Sequence, residues 1–319
     1  MPLPTGDVIG ILADNLRLRK SVLPISTRSA TRWARGLDLP RGGETVLYTG
    51  LMYQLIPYIE GLVKAEVRLG DSPLSKLTSL ARTINKVVNV SKFMVWPSGK
   101  LKAVYDQVPI NVARLLRQAG VEFGYLYKDD LYSGALTHDL GADEAVLEHA
   151  RRVFEVFKKH GVKTVITIDP HTTNMLRSVY PKLLPDYNIE VKNYLEILAE
   201  KEPALKGTLS GEVVIHDPCV FARYENIVDE PRKLLAAAGM AVREPEKSGR
   251  MTWCCGGPVE SLYPAKALAN AQKRVEQLRT AGSEVVTMCP MCFVNLTGAA
   301  QDGVVFNDIS HYLRRAFVS

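Results

Sequence analysis

Val165-Ile166-Thr167-Ile168-Asp169-Pro170 and Val285-Val286-Thr287-Met288-Cys289-Pro290 are one pattern written twice, at an offset of 120 residues. Leu176 and Leu296 align at the same offset. Each copy opens on β-branched residues, which suit a buried strand, and closes on a proline, which suits the first turn of a helix. An amphipathic helix ending in glycine precedes each. In the first copy Asp143 and Glu144 open that helix, Val146, Ala150, Val153, Phe154 and Phe157 form its apolar stripe, and Gly161 stops it. In the second the helix runs over 264–281 and stops at Gly282. A short helix and a similar tail follow each: Asn193-Tyr194-Leu195-Glu196-Ile197-Leu198 and Asp308-Ile309-Ser310-His311-Tyr312-Leu313. The chain therefore carries an α/β unit twice. Strand–helix alternation predicts two pseudo-symmetric, Rossmann-like units with parallel sheets flanked by helices. Sites in such units form at the C-terminal ends of strands.

Outward from these copies, Thr45–Gly50 and Val213–His216 read as further strands, and Val8–Lys20 as an amphipathic helix with Arg17, Arg19 and Lys20 at its C-terminal end. The expected organisation is an N-terminal helical arm (1–45), a first unit (46–205) and a second unit (206–319). Trp33, Tyr48, Tyr53 and Tyr58 read as core or interface rather than as a cofactor box.

The 319 residues are 46% hydrophobic and 23% charged, ordinary for a globular protein. The dispersed net charge of +6 and the absence of nucleic-acid motifs point away from DNA or RNA. No apolar run reaches the ~18 residues of a membrane span. The N-terminal residues show no basic segment followed by an apolar one, so the expected location is the cytoplasm.

The cysteines distinguish the two units. All five lie between Cys219 and Cys292, none before, and an odd count rules out complete disulfide pairing. Cys219 and Cys289 each follow a predicted strand. Cys289-Pro290-Met291-Cys292 opens a helix, whose N-terminus favours thiolates. The side chains of adjacent Cys254 and Cys255 diverge, which suits a polynuclear centre better than one ion. Gly256 and Gly257 permit positive φ and free backbone N–H groups for sulfides. A thioredoxin-like use of Cys-x-x-Cys would leave three cysteines idle. Zinc would take four of the five, and an iron–sulfur cluster uses all.

His216-Asp217-Pro218-Cys219, Arg223-Tyr224, Pro231-Arg232, Cys254-Cys255-Gly256-Gly257 and Cys289-Pro290-Met291-Cys292 together resemble the cysteine-rich CCG domain family. Its members include the B-type and D-type subunits of heterodisulfide reductase, and iron–sulfur subunits of glycolate and glycerol-3-phosphate dehydrogenases. The resemblance implies one noncubane [4Fe–4S] cluster per chain, ligated by Cys219, Cys254, Cys255, Cys289 and Cys292. Members usually carry two such motifs, and the first looks degenerate here. Thr49-Gly50-Leu51-Met52 stands where the family has Gly-Cys, with Leu51 at the ligand position. Leu131-Tyr132-Ser133-Gly134 replaces Cys-Cys-Gly, and Asp169-Pro170-His171-Thr172 replaces Cys-Pro-x-Cys. The interval from Leu51 to Leu131 is 80, against 35 from Cys219 to Cys254, which predicts an insertion of about 45 residues near 65–110.

His216 is a candidate hydrogen-bond partner or proton relay for the cluster, or a strand-end cap. Arg223 is a candidate counter-charge to it, or a surface arginine. His138, Asp139, Asp169 and His171 form a candidate nitrogen/oxygen metal site, against which stands drift at an abandoned cluster site. The resemblance implies an oxidoreductase subunit exchanging electrons with a disulfide- or thiol-type sulfur substrate, small or protein-bound. The alternatives are a pure electron-transfer subunit of a flavin-dependent dehydrogenase and a zinc-stabilised structural subunit. The chain has no Gly-x-Gly-x-x-Gly and no ferredoxin-type cysteine run, so electrons are expected from another polypeptide. The family implies a ferredoxin-like iron–sulfur subunit, similar to the C-type subunit of heterodisulfide reductase, and a flavoprotein. The arm, apolar on one face and basic at its end, is the expected docking element.

Overall fold

In a computed structural model, which describes residues 5–23, 25–69, 99–300 and 303–318, the β-branched runs form two parallel sheets. Among the described residues, β1 (Thr45–Tyr48), β2 (Gly124–Tyr125), β3 (Thr164–Thr167) and β4 (Glu190–Asn193) make one sheet, ordered β2-β1-β3-β4. The other contains β5 (Glu212–Ile215), β6 (Ala241–Arg243), β7 (Glu284–Thr287) and β8 (Val305–Asp308), ordered β6-β5-β7-β8. The pairings are parallel in both. The fold is α/β, with two Rossmann-like units of the same strand order, so the duplication extends from sequence to topology. The last three residues of β1, β3, β5 and β7 are buried, as strands covered by helices on both faces require.

Register fixes which residues correspond. Leu47 pairs with Ile166, and Ile215 pairs with Val286. Counting on from these partners sets Leu51 against Cys219. Asp169 and Cys289 are the N-caps of the helices Pro170–Asn174 and Pro290–Ala299. Gly134 (φ 86°, ψ 2°) matches Gly256 (φ 84°, ψ 0°) in left-handed conformation. This corrects one expected correspondence: Tyr132, not Leu131, stands against Cys254, and Ser133 against Cys255. No shared residue type marks this stretch other than the glycine, and the glycine's backbone conformation is what sets the register.

The expected insertion falls largely on residues outside those described. Its described flanks are helical rather than loop: Met52–Leu69 and Gly99–Gln118 are packed against each other.

The arm is also corrected. The helix Thr5–Arg19 lies on the first unit's own Asp143–Lys159 helix, burying Leu12 and Leu16. Arg17 at its basic end pairs with Glu144 and Glu148. The apolar face expected to receive a partner is covered by this chain. Trp33, Tyr48, Tyr53 and Tyr58 are buried, and Trp33 packs edge-on against Tyr125 at 4.7 Å.

Buried polar contacts join the units. Tyr53 donates to Asp308 Oδ2 at 2.7 Å, and Glu225 accepts from Asn174 at 2.7 Å and Ser178 at 2.9 Å. Beside them, Gly99–Gln118 packs on the helix Ile309–Phe317. No described helix is long and apolar enough to cross a membrane.

Candidate metal centre

β5 and β7 are neighbours in the second sheet, so the residues just past their C-terminal ends lie side by side. That places Cys219 next to Cys289, with Cys292 one turn into the helix that Cys289 caps. The loop after the turn Gly249–Met251 brings Cys254 and Cys255 to the same place. The sulfurs run in series. Cys219 Sγ lies 3.7 Å from Cys254 Sγ, Cys255 interacts with Cys254 and Cys292, and Cys292 interacts with Cys289. Cys255, Cys289 and Cys292 are buried, while Cys219 and Cys254 are partly exposed.

The surrounding backbone is shaped to this set. A Cβ at Gly256 would sit 2.7 Å from Ala267 O, and one at Gly257 would sit 3.2 Å from Met291 Cβ. Gly256 N–H donates to Cys254 Sγ at 3.4 Å. Hydrogen bonds from Cys219 and Cys255, with the Gly256 N–H, hold the Cys254 thiol far below its ordinary range. Burial works against Cys289, yet hydrogen bonds from Cys292 and His171 bring it down to about 5. Cys219, Cys255 and Cys292 are pushed up by the neighbouring thiols and by burial.

This donor set fits an iron–sulfur cluster. It is thiolate-rich and soft, it excludes water on one side, and glycines allow close approach. Among the described residues no three His, Cys, Asp or Glu side chains converge on a single-ion point. Five sulfurs in series match a larger group better than one zinc ion.

The first unit contributes to this site, which its sequence did not announce. His171 is buried against Cys289, and its Nδ1 lies 3.6 Å from Asp139 Oδ2. Facing thiolate and carboxylates outweigh burial and raise His171 to about 9. Asp139 is exposed, so the pair runs from solvent to the thiols. His171 and Asp139 thus stand beside the second unit's thiols. A cavity of ≈ 70 Å³ adjoins the pair, between Met291, Gly257 and Pro258 on one side and Leu12, Met52 and Tyr132 on the other. His138 lies outside that lining.

The first unit's own ligand positions are Leu51, Tyr132, Ser133, Asp169 and Thr172, all buried. Asp169 and Thr172 meet directly. A Cβ at Gly50 would stand 2.3 Å from Thr172 Oγ1, and Asp169 accepts from the Thr172 N–H at 2.9 Å as an ordinary helix cap.

His216 is fully buried at the end of β5, and burial keeps it neutral. Arg223 binds the main-chain carbonyls of Arg250 and Thr252. It clamps the turn leading to Cys254. Sequence reading missed Arg274, which is fully buried and donates to His216. A lone arginine on an amphipathic helix carries no sign of burial.

The second unit is a parallel α/β unit that presents cysteines just past its strand ends. Residues 213–297 match the cysteine-rich domain family CCG, the family that its motif resembles. The chain is 33% identical over 214 residues to the EtfAB:quinone oxidoreductase of Syntrophomonas wolfei, a match covering 63% of this chain and 29% of that protein. It is 31% identical over 212 residues to a probable iron–sulfur-binding oxidoreductase, FadF, of Bacillus subtilis, covering 64% and 30%. It is 32% identical over 165 residues to the B-type subunit of the CoM/CoB fumarate reductase of Methanothermobacter marburgensis, covering 50% and 32%. Its matches span about a third of the length of these relatives, which are oxidoreductases or oxidoreductase subunits.

Proposed function

We propose that the chain is an iron–sulfur redox subunit of a heterodisulfide-reductase-like complex, with Cys219, Cys254, Cys255, Cys289 and Cys292 holding one noncubane [4Fe–4S] cluster. The convergence of five thiols from three separated segments into one continuous set carries this reading. When bound, the cluster supplies one-electron storage. The chain's own residues shape its surroundings. Gly256 and Gly257 admit it, Met291 and Pro258 wall off water, and His171 with Asp139 links the thiols to solvent. In this reading residues 206–319 hold the cluster, residues 46–205 are a metal-free copy that completes its wall, and residues 1–45 brace that copy. The substrate is a disulfide- or thiol-type sulfur, a reading supported by the relative named for CoM and CoB. The subunit works in the cytoplasm. Anaerobically purified protein should contain about four irons and acid-labile sulfide per chain, with an EPR signal on redox titration. Stoichiometric zinc without iron would overturn the proposal.

The first copy's lack of cysteines favours a second reading, a pure electron-transfer subunit of a flavin-dependent dehydrogenase, because it leaves a scaffold and a docking surface beside the thiol set. Adding thiol and disulfide ligands separates the two. A perturbed EPR signal supports the substrate-binding reading, and an unmoved one supports the second.

A ferredoxin-like subunit, with a flavoprotein behind it, would deliver electrons at the exposed edge of the thiol set, beside Cys219 and Cys254. Tyr224 and Met251 are 70% and 74% exposed there. Lys247 and Lys273 flank the Trp253 ring at 5.1 and 4.2 Å. Apolar contact area inside a basic rim suits an acidic carrier. Lys273→Glu with Lys247→Glu should slow reduction by an acidic [2Fe–2S] ferredoxin at least tenfold at low salt and little at high salt. Equal rates at low salt would place the docking surface elsewhere.

A further inference from the structure

Arg274 is a fully buried arginine for which no ion pair is formed among the described residues. The carboxylate that acts on it, Asp217, is already held by two bonds from Arg232, at 2.8 and 2.9 Å, and by Gly249 N–H at 2.7 Å. Burial lowers Arg274 to about 10, so it is still charged at neutral pH. Burying a guanidinium is costly unless an anion lies close by. The remaining groups acting on its charge are the Cys292 and Cys255 thiols.

Its hydrogen bonds are specific. Nη1 donates to Lys247 O at 2.8 Å, and Nη2 reaches Thr252 Oγ1 at 3.4 Å. Nε donates to His216 Nδ1 at 3.0 Å. An N–H pointing at Nδ1 makes that nitrogen the acceptor, so the imidazole proton sits on Nε2. His216 Nε2 is buried and has no partner in the protein, and the Cys254 thiol acts on the same ring. A buried N–H requires an acceptor.

We propose that Arg274 is a positioning residue for the redox centre: it locks His216 as the Nε2–H tautomer and presents that N–H, backed by a buried positive charge, to the sulfur ligands. The inference rests on the cluster reading above. A hydrogen bond and a nearby cation both favour the more negative, reduced state, so together they raise the cluster's potential.

The test is EPR-monitored redox titration of the anaerobic full chain, with iron content measured alongside. His216→Leu should keep its iron and shift to a lower potential. His216→Gln, whose amide offers an N–H near the Nε2 position, should recover most of that shift. Arg274→Gln should also fall, and Arg274→Lys, which keeps charge without the Nε lock, should lie between it and the wild type. Wild-type potentials in iron-replete His216→Leu and Arg274→Gln would overturn this inference alone. A His216→Gln shift equal to that of His216→Leu would do the same, and it decides the matter if Arg274→Gln fails to fold. Iron-free wild-type protein would overturn the cluster reading first.

Discussion

Replacing Cys255 with serine should remove the cluster or convert it to a smaller species, cutting iron per chain by half or more. Three features of the site set this expectation. Cys255 is 2% exposed and stands mid-series, interacting with Cys254 on one side and Cys292 on the other. Its neighbours cannot move in to compensate, because Gly256 is in left-handed conformation against Ala267 and Gly257 is close to Met291. Serine is nearly isosteric but offers a hard oxygen of high pKa where iron–sulfur chemistry wants a soft thiolate. The fold should survive, since the substitution changes little volume in a core otherwise built on β5, β7 and their helices. Far-UV circular dichroism of the variant should therefore match the wild type while iron and EPR signal fall. An unchanged spectrum with full iron would show that the adjacent pair is not used together.

The sequence made the duplication legible because β3 and β7 are central strands, buried on both faces, and only a narrow set of β-branched residues fits there. The five cysteines were equally legible, since all lie in one unit and two follow predicted strands. Edge strands were harder. Gly124–Tyr125 and Ala241–Arg243 are two and three residues long, too short to carry a period. The correspondence of Tyr132 with Cys254 was missed by one residue because it depends on the left-handed backbone of Gly134 and Gly256. The packing of the arm was not legible for a different reason. An amphipathic helix declares that its apolar face is covered but not by what, and the Asp143–Lys159 helix covers it.

His171 and Arg274 show where a linear reading stops at the site itself. His171 takes the place of Met291 in the first unit's Asp-Pro-His-Thr stretch, and both side chains reach the boundary between the units. A histidine that serves the other copy's cysteines can be recognised only once the copies are docked. Arg274 sits on a helix with Lys273 and Gln277 around it, and nothing in that run separates a surface cation from a buried one. Its identity as an interior charge comes from β5 packing, which presents His216 to it.

Glu225→Ala should destabilise the chain by about 2–3 kcal/mol, the cost of removing the charged acceptor of two part-buried hydrogen bonds. The Glu225 side chain is 1% exposed and belongs to the second unit, in the turn Phe221–Glu225 that follows Cys219. Every partner it has across the boundary comes from the first unit. Asn174 Nδ2 and Ser178 Oγ donate to Oε1, and Arg177 Nη1 lies 3.5 Å from Oε2. Arg177 also binds Glu196 and the Val191 carbonyl, so the carboxylate is tied into β4 and the helix after it. Alanine would leave two half-buried donors without their acceptor, while Arg177 keeps Glu196. Glu225→Gln keeps one acceptor and the shape of the side chain, and should cost roughly 1–2 kcal/mol. Urea denaturation followed by circular dichroism measures both. His171 and Asn174 share the short helix Pro170–Asn174, so freeing one end also loosens the hold of His171 on Cys289. Glu225→Ala should therefore alter the cluster's EPR line shape at denaturant concentrations well below global unfolding, while Glu225→Gln should not. A stability loss under about 1 kcal/mol in Glu225→Ala would show that the two units are held by their apolar helix contacts alone.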